Sequence, residues 1–246
     1  MWLEPPSSLS LSSEEVHVWR AHLEPPPELL QGLLRTLDTD EQTRASRFHF
    51  EKHRRRFIAG RGVLRSLLGR YLEIKPEEVR FAYGPYGKPT LDATHHAGPL
   101  RFNASHSHEL AVYAFAQDHD VGIDVEYIKE DFATQEIAER FFSKYEVGIL
   151  RALPREEQGA GFFRCWTRKE AYIKAIGSGL SHPLDQFDVT LAPNEPAALL
   201  RDHRDAEATT RWDMFDLDLP AGYVGALAVA AVGLKLIQFL PKQPFA

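Results

Sequence analysis

One cysteine, Cys165, stands among 246 residues, so neither an internal disulfide nor a multi-cysteine zinc cluster can be built. That scarcity suits a reducing compartment, and a cytoplasmic location is expected. There is no HExxH pair, and the HSH at residues 106–108 lacks zinc spacing. The chain has no GxxxxGK(S/T) loop and no dinucleotide fingerprint. Any phosphate must therefore be held by basic side chains rather than by a glycine cradle. No apolar run is long enough to span a membrane. The best, YVGALAVAAVGLKLIQFL, is interrupted by Lys235, and its first part, Tyr223–Val232, reads as a strand. MWLEPPSSLSLSSEE has neither a basic start nor a long apolar core, so no signal peptide is expected. A formal charge of −6 leaves no footprint for nucleic acid or membrane.

What is present is a chain that is 43% hydrophobic, enough for one large domain or two of about 120 residues each. No low-complexity linker separates them, so two lobes would pack closely. A strand is expected near Val16–Trp19, then a proline run leading into a short helix. Asp40–Leu72 reads as helix, with Phe57, Val63, Leu64, Leu67 and Leu68 at helical spacing and a break at Gly69. Val79–Tyr83 is a strand candidate, and GPYGKP is turn chemistry. FNASHS leads into a strand LAVYAFA, with VGIDVEYI as its expected hairpin partner across the polar turn Gln117–Asp120. Helices are expected at Ala133–Phe142, within SKYEVGILRALP, and at Gly161–Ile176, where Gly177 and Gly179 stop the last of them. Phe187–Leu191, Arg211–Leu217 and Tyr223–Val232 would close an antiparallel sheet, and PNEPAALLRDHRDAEATT between them reads as surface loop. The spacing from Phe57 to Arg65 repeats from Trp166 to Lys174, a faint internal echo.

Asp124 and Glu126 share one face of their strand, leaving Ile123 and Val125 on the other. Two carboxylates so close repel unless a cation, a proton or hydrogen bonds compensate. Spacing alone leaves water-facing acids and half of a metal site both open. In CWTRKEAYIKAIGSGL, Glu170 and Lys174 form an i, i+4 pair, which is an ordinary ion pair or a place where lysine holds phosphate beside a cation. Arg44, Arg47, Lys52, Arg54, Arg55, Arg56 and Arg61 make residues 44–61 strongly basic in an otherwise acidic chain.

Taken in order, GPYGKP, FNASHS, VGIDVE and CWTRKEAYIKAIGSGL resemble the 4'-phosphopantetheinyl transferases, specifically the larger Sfp-type group. The resemblance runs from about Thr39 to Val189 and is most specific in the acid-x-acid strand followed by W-x-x-K-E-x-x-x-K. It implies an α+β fold of two similar lobes related by pseudo-twofold symmetry, each with an antiparallel sheet packed against a long helix. The expected lobes are residues 1–120 and 121–246. The implied reaction transfers 4'-phosphopantetheine from coenzyme A to a serine of an apo acyl, peptidyl or aryl carrier protein, releasing 3',5'-ADP with magnesium (Mg2+) as metal. The resemblance assigns the metal to Asp124, Glu126 and Glu170, and catalysis to Glu170 and Lys174. Coenzyme A contacts are carried to Arg44, Arg47, Arg56, Lys88, Ser105, His106, Asp124, Lys169 and Lys174. Glu170 is the favoured base for the serine proton, with Asp124 or a hydroxide on the ion as the alternative acceptor. An acidic helical carrier would suit the arginine-rich surface, and two lobes in one chain make a monomer sufficient. The competing readings are another magnesium-dependent nucleotide phosphotransferase or pyrophosphate hydrolase, and a non-catalytic coenzyme A-binding protein.

Overall fold

The computed structural model describes residues 1–129 and 134–241. Alternation explains the first long strand. In EVHVWRAH, Val16 and Val18 face one way, His17 and Trp19 the other, and all four are buried. The first half of the chain comprises β1 (Trp2–Leu3), β2 (Glu15–His22), α1 (Pro27–Thr36), α2 (Thr39–Ser46), α3 (Glu51–Leu72), β3 (Phe81–Tyr83), β4 (Pro89–Leu91), β5 (Leu100–Ser107) and β6 (Leu110–Gln117). The second half comprises β7 (Val121–Tyr127), α4 (Thr134–Phe141), α5 (Lys144–Ala152), α6 (Arg155–Ala175), β8 (Phe187–Val189), β9 (Leu199–Asp202), β10 (Asp213–Asp216), β11 (Tyr223–Val229) and β12 (Lys235–Phe239).

Two sheets carry the lobes. One runs β1-β12-β2-β6-β5, and the other β10-β11-β7, with β3-β4 and β8-β9 as separate ribbons. The aromatic face of the first sheet (Trp19, Tyr113, Phe115) packs on Ile58, Val63, Leu64 and Leu67 of α3. Its opposite face (Val16, Val18, Val112, Ala114) meets Val121, Ile123, Val125, Leu227 and Val229 of the second sheet. Ala226 and Ala228, on the far side of that sheet, pack on α6. The order of layers is thus helix, sheet, sheet, helix, an α+β architecture of two lobes, each with a sheet against a long helix. Every fully buried aliphatic or aromatic side chain in the middle layer contributes about 1.5–3 kcal/mol of transfer free energy. That burial binds the lobes to one another.

Several sequence expectations change. LAVYAFA does pair as a hairpin, but its partner is FNASHS, which is itself strand β5. GIDVE instead crosses to the second sheet, where β7 pairs with β11. The basic helical stretch divides at residues 47–50, where Phe50 is extended ahead of α3. Gly69 does not break α3, which continues to Leu72 and ends at Glu73 in the left-handed region (φ 56°). A Cβ at Gly69 would lie 2.8 Å from Ile74 O, so glycine serves the close return of the chain after the helix. α6 starts earlier than expected, after Pro154. β9 lies within the segment read as loop, and β12 returns the chain to the first sheet. Of the helix expected at Ala133–Phe142, Ala133 lies outside the described residues, and α4 covers Thr134–Phe141.

Candidate active site

The strand alternation that buries Ile123 and Val125 between the sheets turns Gly122, Asp124 and Glu126 toward α6. Gly122 lets the helix come close, since a Cβ there would sit 2.1 Å from Ala171 O. Beside this contact on α6, Glu170 and Lys174, one turn apart, face the two acids. A cavity of about 410 Å³ is lined by Ala104, Ser105, His106, Asp124, Glu126, Trp166, Glu170 and Lys174. The structure therefore joins residues from β5, β7 and α6 that are far apart in sequence.

Asp124 is 3% exposed. Its Oδ1 accepts from Ser105 Oγ at 2.8 Å and from Lys174 Nζ at 2.5 Å, while Lys174 Nζ also donates to Ser105 Oγ at 3.1 Å. Its Oδ2 is buried without a hydrogen-bond partner among the described residues. Glu126, half-buried, accepts from Ser107 Oγ at 2.7 Å. Burial pushes the Glu126 carboxyl above the usual range, with the Ser107 hydrogen bond opposing and Asp124 adding to the rise. Glu170 is pushed up to about 7, first by burial, with Lys174 opposing and the neighbouring charges of Asp124 and Glu126 adding. The three carboxylates repel one another more than Lys174, and Lys129 near Glu126, compensate, and both raised acids register it.

Among the described residues, no three His, Cys, Asp or Glu side chains are drawn together as a finished metal cage. Lys174 Nζ rests on Asp124 Oδ1, where a second cation would compete with it. The donor set nevertheless fits a hard divalent ion. All the candidate donor atoms are carboxylate oxygens, and among the described residues nothing donates to the buried Asp124 Oδ2.

A second cavity of about 750 Å³ shares Ala104, Ser105 and His106 with the first, and continues past Arg44, His53, Arg56, Phe57 and Arg61. Arg44 lies over the Phe57 ring at 5.2 Å. Arg56 lines this cavity but is bonded to Glu24 at 2.6 Å and Glu109 at 3.3 Å. His106 is held below the ordinary histidine value, first by desolvation against the cleft walls, then by Lys174 and Arg56. His53 and Arg61 were not singled out from sequence as site residues, since nothing distinguishes them within a basic stretch.

Three sequence candidates lie elsewhere. Lys169 does not reach either cavity. It is fully buried, paired with Glu146 at 2.8 Å, and donates to Leu184 O at 2.6 Å and Phe187 O at 2.5 Å. Lys88 donates to Val121 O at 3.2 Å and Ala175 O at 3.1 Å, so its ammonium caps the carboxyl end of α6, and it lines neither of these two cavities. Arg47 ends α2 and lines neither cavity.

Comparison with known proteins covers both halves of the chain. Residues 21–118 match a family described as 4'-phosphopantetheinyl transferase, N-terminal, and residues 120–228 match the 4'-phosphopantetheinyl transferase superfamily. The chain is 44% identical over 232 residues to the 4'-phosphopantetheinyl transferase HetI of Nostoc sp., covering 94% of each. It is 36% identical over 155 residues to the 4'-phosphopantetheinyl transferase Sfp of Bacillus subtilis, covering 63% of this chain and 66% of that one. With the 4'-phosphopantetheinyl transferase psf-1 of Bacillus pumilus it shares 37% over 166 residues, covering 67% and 68%.

Proposed function

The chain belongs to the 4'-phosphopantetheinyl transferase superfamily, and we propose that the seam between its lobes is the catalytic centre. It is an enzyme that transfers the 4'-phosphopantetheine group from coenzyme A to an apo carrier protein. The observation that carries the site assignment is the convergence of Asp124, Glu126, Glu170 and Lys174 on one cavity that opens into a cation-lined cleft. In this reading the cleft of Arg44, Arg56 and His106 takes the phosphorylated nucleotide, and the acidic cavity takes the pyrophosphate.

Asp124, Glu126 and Glu170 are the residues that would hold magnesium. Bound there, the ion would neutralise pyrophosphate charge as the phosphorus is attacked. Lys174 needs only to exchange its bonds to Asp124 and Ser105 for bonds to phosphate oxygens, and so stabilises the departing 3',5'-ADP. The acceptor serine Oγ forms the new bond to phosphorus while the bond to the leaving oxygen breaks. Glu170, which lines the cavity beside Lys174, is the favoured acceptor of the serine proton. Asp124 is the poorer acceptor, because Ser105 and Lys174 already hold its Oδ1. The exposed arginines Arg44 and Arg47 offer an acidic carrier an electrostatic approach, which speeds encounter more than it fixes affinity.

The test is incubation of the enzyme with magnesium, coenzyme A and a panel of apo carrier proteins, followed by intact mass. A gain of one phosphopantetheine group on the carrier serine supports the assignment, and Glu170→Gln should abolish that gain while leaving coenzyme A bound. Near-normal turnover by Glu170→Gln would remove Glu170 from catalysis.

A further inference from the structure

β7 is an edge strand. β11 fills one side, and the described structure pairs no strand with the other. Such an edge presents backbone groups that need partners. β5, from the other sheet, supplies them with side chains. Asn103 Oδ1 accepts from Ile123 N at 2.9 Å, and Ser107 Oγ accepts from Tyr127 N at 3.1 Å. Asn103, Ser105 and Ser107 alternate along β5 and so project from one face of it, as three rungs spaced to match β7.

The two hydroxyls also donate. Ser105 Oγ bonds Asp124 Oδ1 at 2.8 Å, and Ser107 Oγ bonds Glu126 Oε2 at 2.7 Å. We propose that Ser105 and Ser107 are positioning residues for the cation site, so that a strand of the first lobe sets the carboxylate geometry of the second. This inference rests on reading Asp124, Glu126 and Glu170 as that site. A carboxylate has two oxygens and turns freely unless one is held. A hydroxyl fixed to one oxygen sets the plane of the group and leaves the other directed at the ion. For Asp124 the structure has this division: Ser105 and Lys174 hold Oδ1, and among the described residues the buried Oδ2 has no donor. Ser107 does more than orient Glu126, because the same oxygen is anchored by Tyr127 N on β7 itself. Donation to both acids also relieves the repulsion between two like charges on one strand face. His106, between the two serines, lines both cavities. Positioning of the acids and contact with the nucleotide thus come from adjacent residues of a single strand.

The experiment titrates Mn2+, a spectroscopic substitute for magnesium, into the full chain and follows free ion by electron paramagnetic resonance. Ser107→Ala should weaken Mn2+ binding by about 10- to 100-fold, with a matching rise in the magnesium concentration giving half-maximal turnover. Coenzyme A affinity measured in EDTA should not change, and Ser107→Thr, which keeps the hydroxyl, should restore the ion. Ser105→Ala provides the same Mn2+ comparison on Asp124, without the coenzyme A control because Ser105 also lines the nucleotide cleft, should loss of the Ser107 hydroxyl unfold the chain. If Asp124→Asn abolishes Mn2+ binding while both serine-to-alanine variants bind like wild type, the positioning role is refuted and the cation site stands. If Asp124→Asn binds Mn2+ like wild type, the cation site itself fails and the positioning role falls with it. In Ser107→Ala, equal losses of Mn2+ and of metal-free coenzyme A binding would mean general disruption of the seam, and would also overturn the proposal.

Discussion

Substituting alanine for Gly122 adds one methyl group at the point where α6 crosses β7. The added Cβ would lie 2.1 Å from Ala171 O and 2.3 Å from Ala175 N, against 3.4 Å or more for an ordinary contact. Both neighbours are backbone atoms, so no side-chain rotation relieves the clash. The helix must retreat by about 1.3 Å, and it carries Glu170 and Lys174 with it. Overpacking of this kind costs about 1–3 kcal/mol, and a rigid backbone contact argues for the upper end. A displacement on the order of 1 Å between groups that act together costs about 100-fold in rate. Urea unfolding should therefore show a lowered midpoint at unchanged slope, and carrier loading should fall by about two orders of magnitude in kcat/KM. Gly148→Ala is the control: α5 has open space at that position, and the change should be neutral or stabilise by up to about 1 kcal/mol. Wild-type stability and turnover in Gly122→Ala would refute the close approach of helix and strand as the device that places Glu170.

Three further outcomes follow from the same geometry. Lys169→Met should destabilise by about 3–5 kcal/mol, because it leaves Glu146 charged and buried; the double change Lys169→Met with Glu146→Leu should recover much of the loss in a urea double-mutant cycle. Lys88→Met removes a charged donor from two carbonyls and should lower the urea midpoint by the equivalent of about 1–3 kcal/mol, with the larger loss in thermal protection expected at the carboxyl end of α6 by amide exchange. The Glu170 carboxyl, raised to about 7 from 4.5, keeps in the folded state a proton that the unfolded chain releases. Metal-free stability should accordingly decline as pH rises from about 4.5 through 7, and added magnesium should raise the melting temperature more at pH 8 than at pH 5; a gain independent of pH would contradict the linkage.

The parts of the site that sequence made legible are those governed by a single periodicity. A two-residue repeat places Asp124 and Glu126 together, and a four-residue step places Glu170 beside Lys174. The same helical arithmetic separates the two lysines. Five residues at about 100° each put Lys169 about 140° away from Lys174, so only one of them can face the acids. Lys169 instead enters the core of the second lobe, where Glu146, held by the capping box of α5, neutralises it. No local pattern announces that pairing, because its members are brought together by the packing of α5 and β8 on α6. The strand character of FNASHS was equally hidden. Its small polar residues carry turn chemistry when taken alone, and they occupy a strand because β7 needs donors and acceptors along its free edge.

That edge also explains why the acids of the chain lie where the lobes meet. A second-sheet strand buried on both faces would place Asp124 in an apolar layer with no compensating partner. At the seam, β5 supplies hydroxyls, α6 supplies an ammonium, and the shared wall of Ala104, Ser105 and His106 sets the acids beside the basic cleft. Each lobe alone lacks part of this set: the first has no carboxylate of the triad, and the second has neither serine. The Val16–Val18 face of the first sheet, packed on Ile123 and Val125, holds the two sets in register. Core packing between the lobes and the geometry of the proposed active centre are therefore borne by one strand, β7, whose alternate residues face the apolar layer and the acidic cavity.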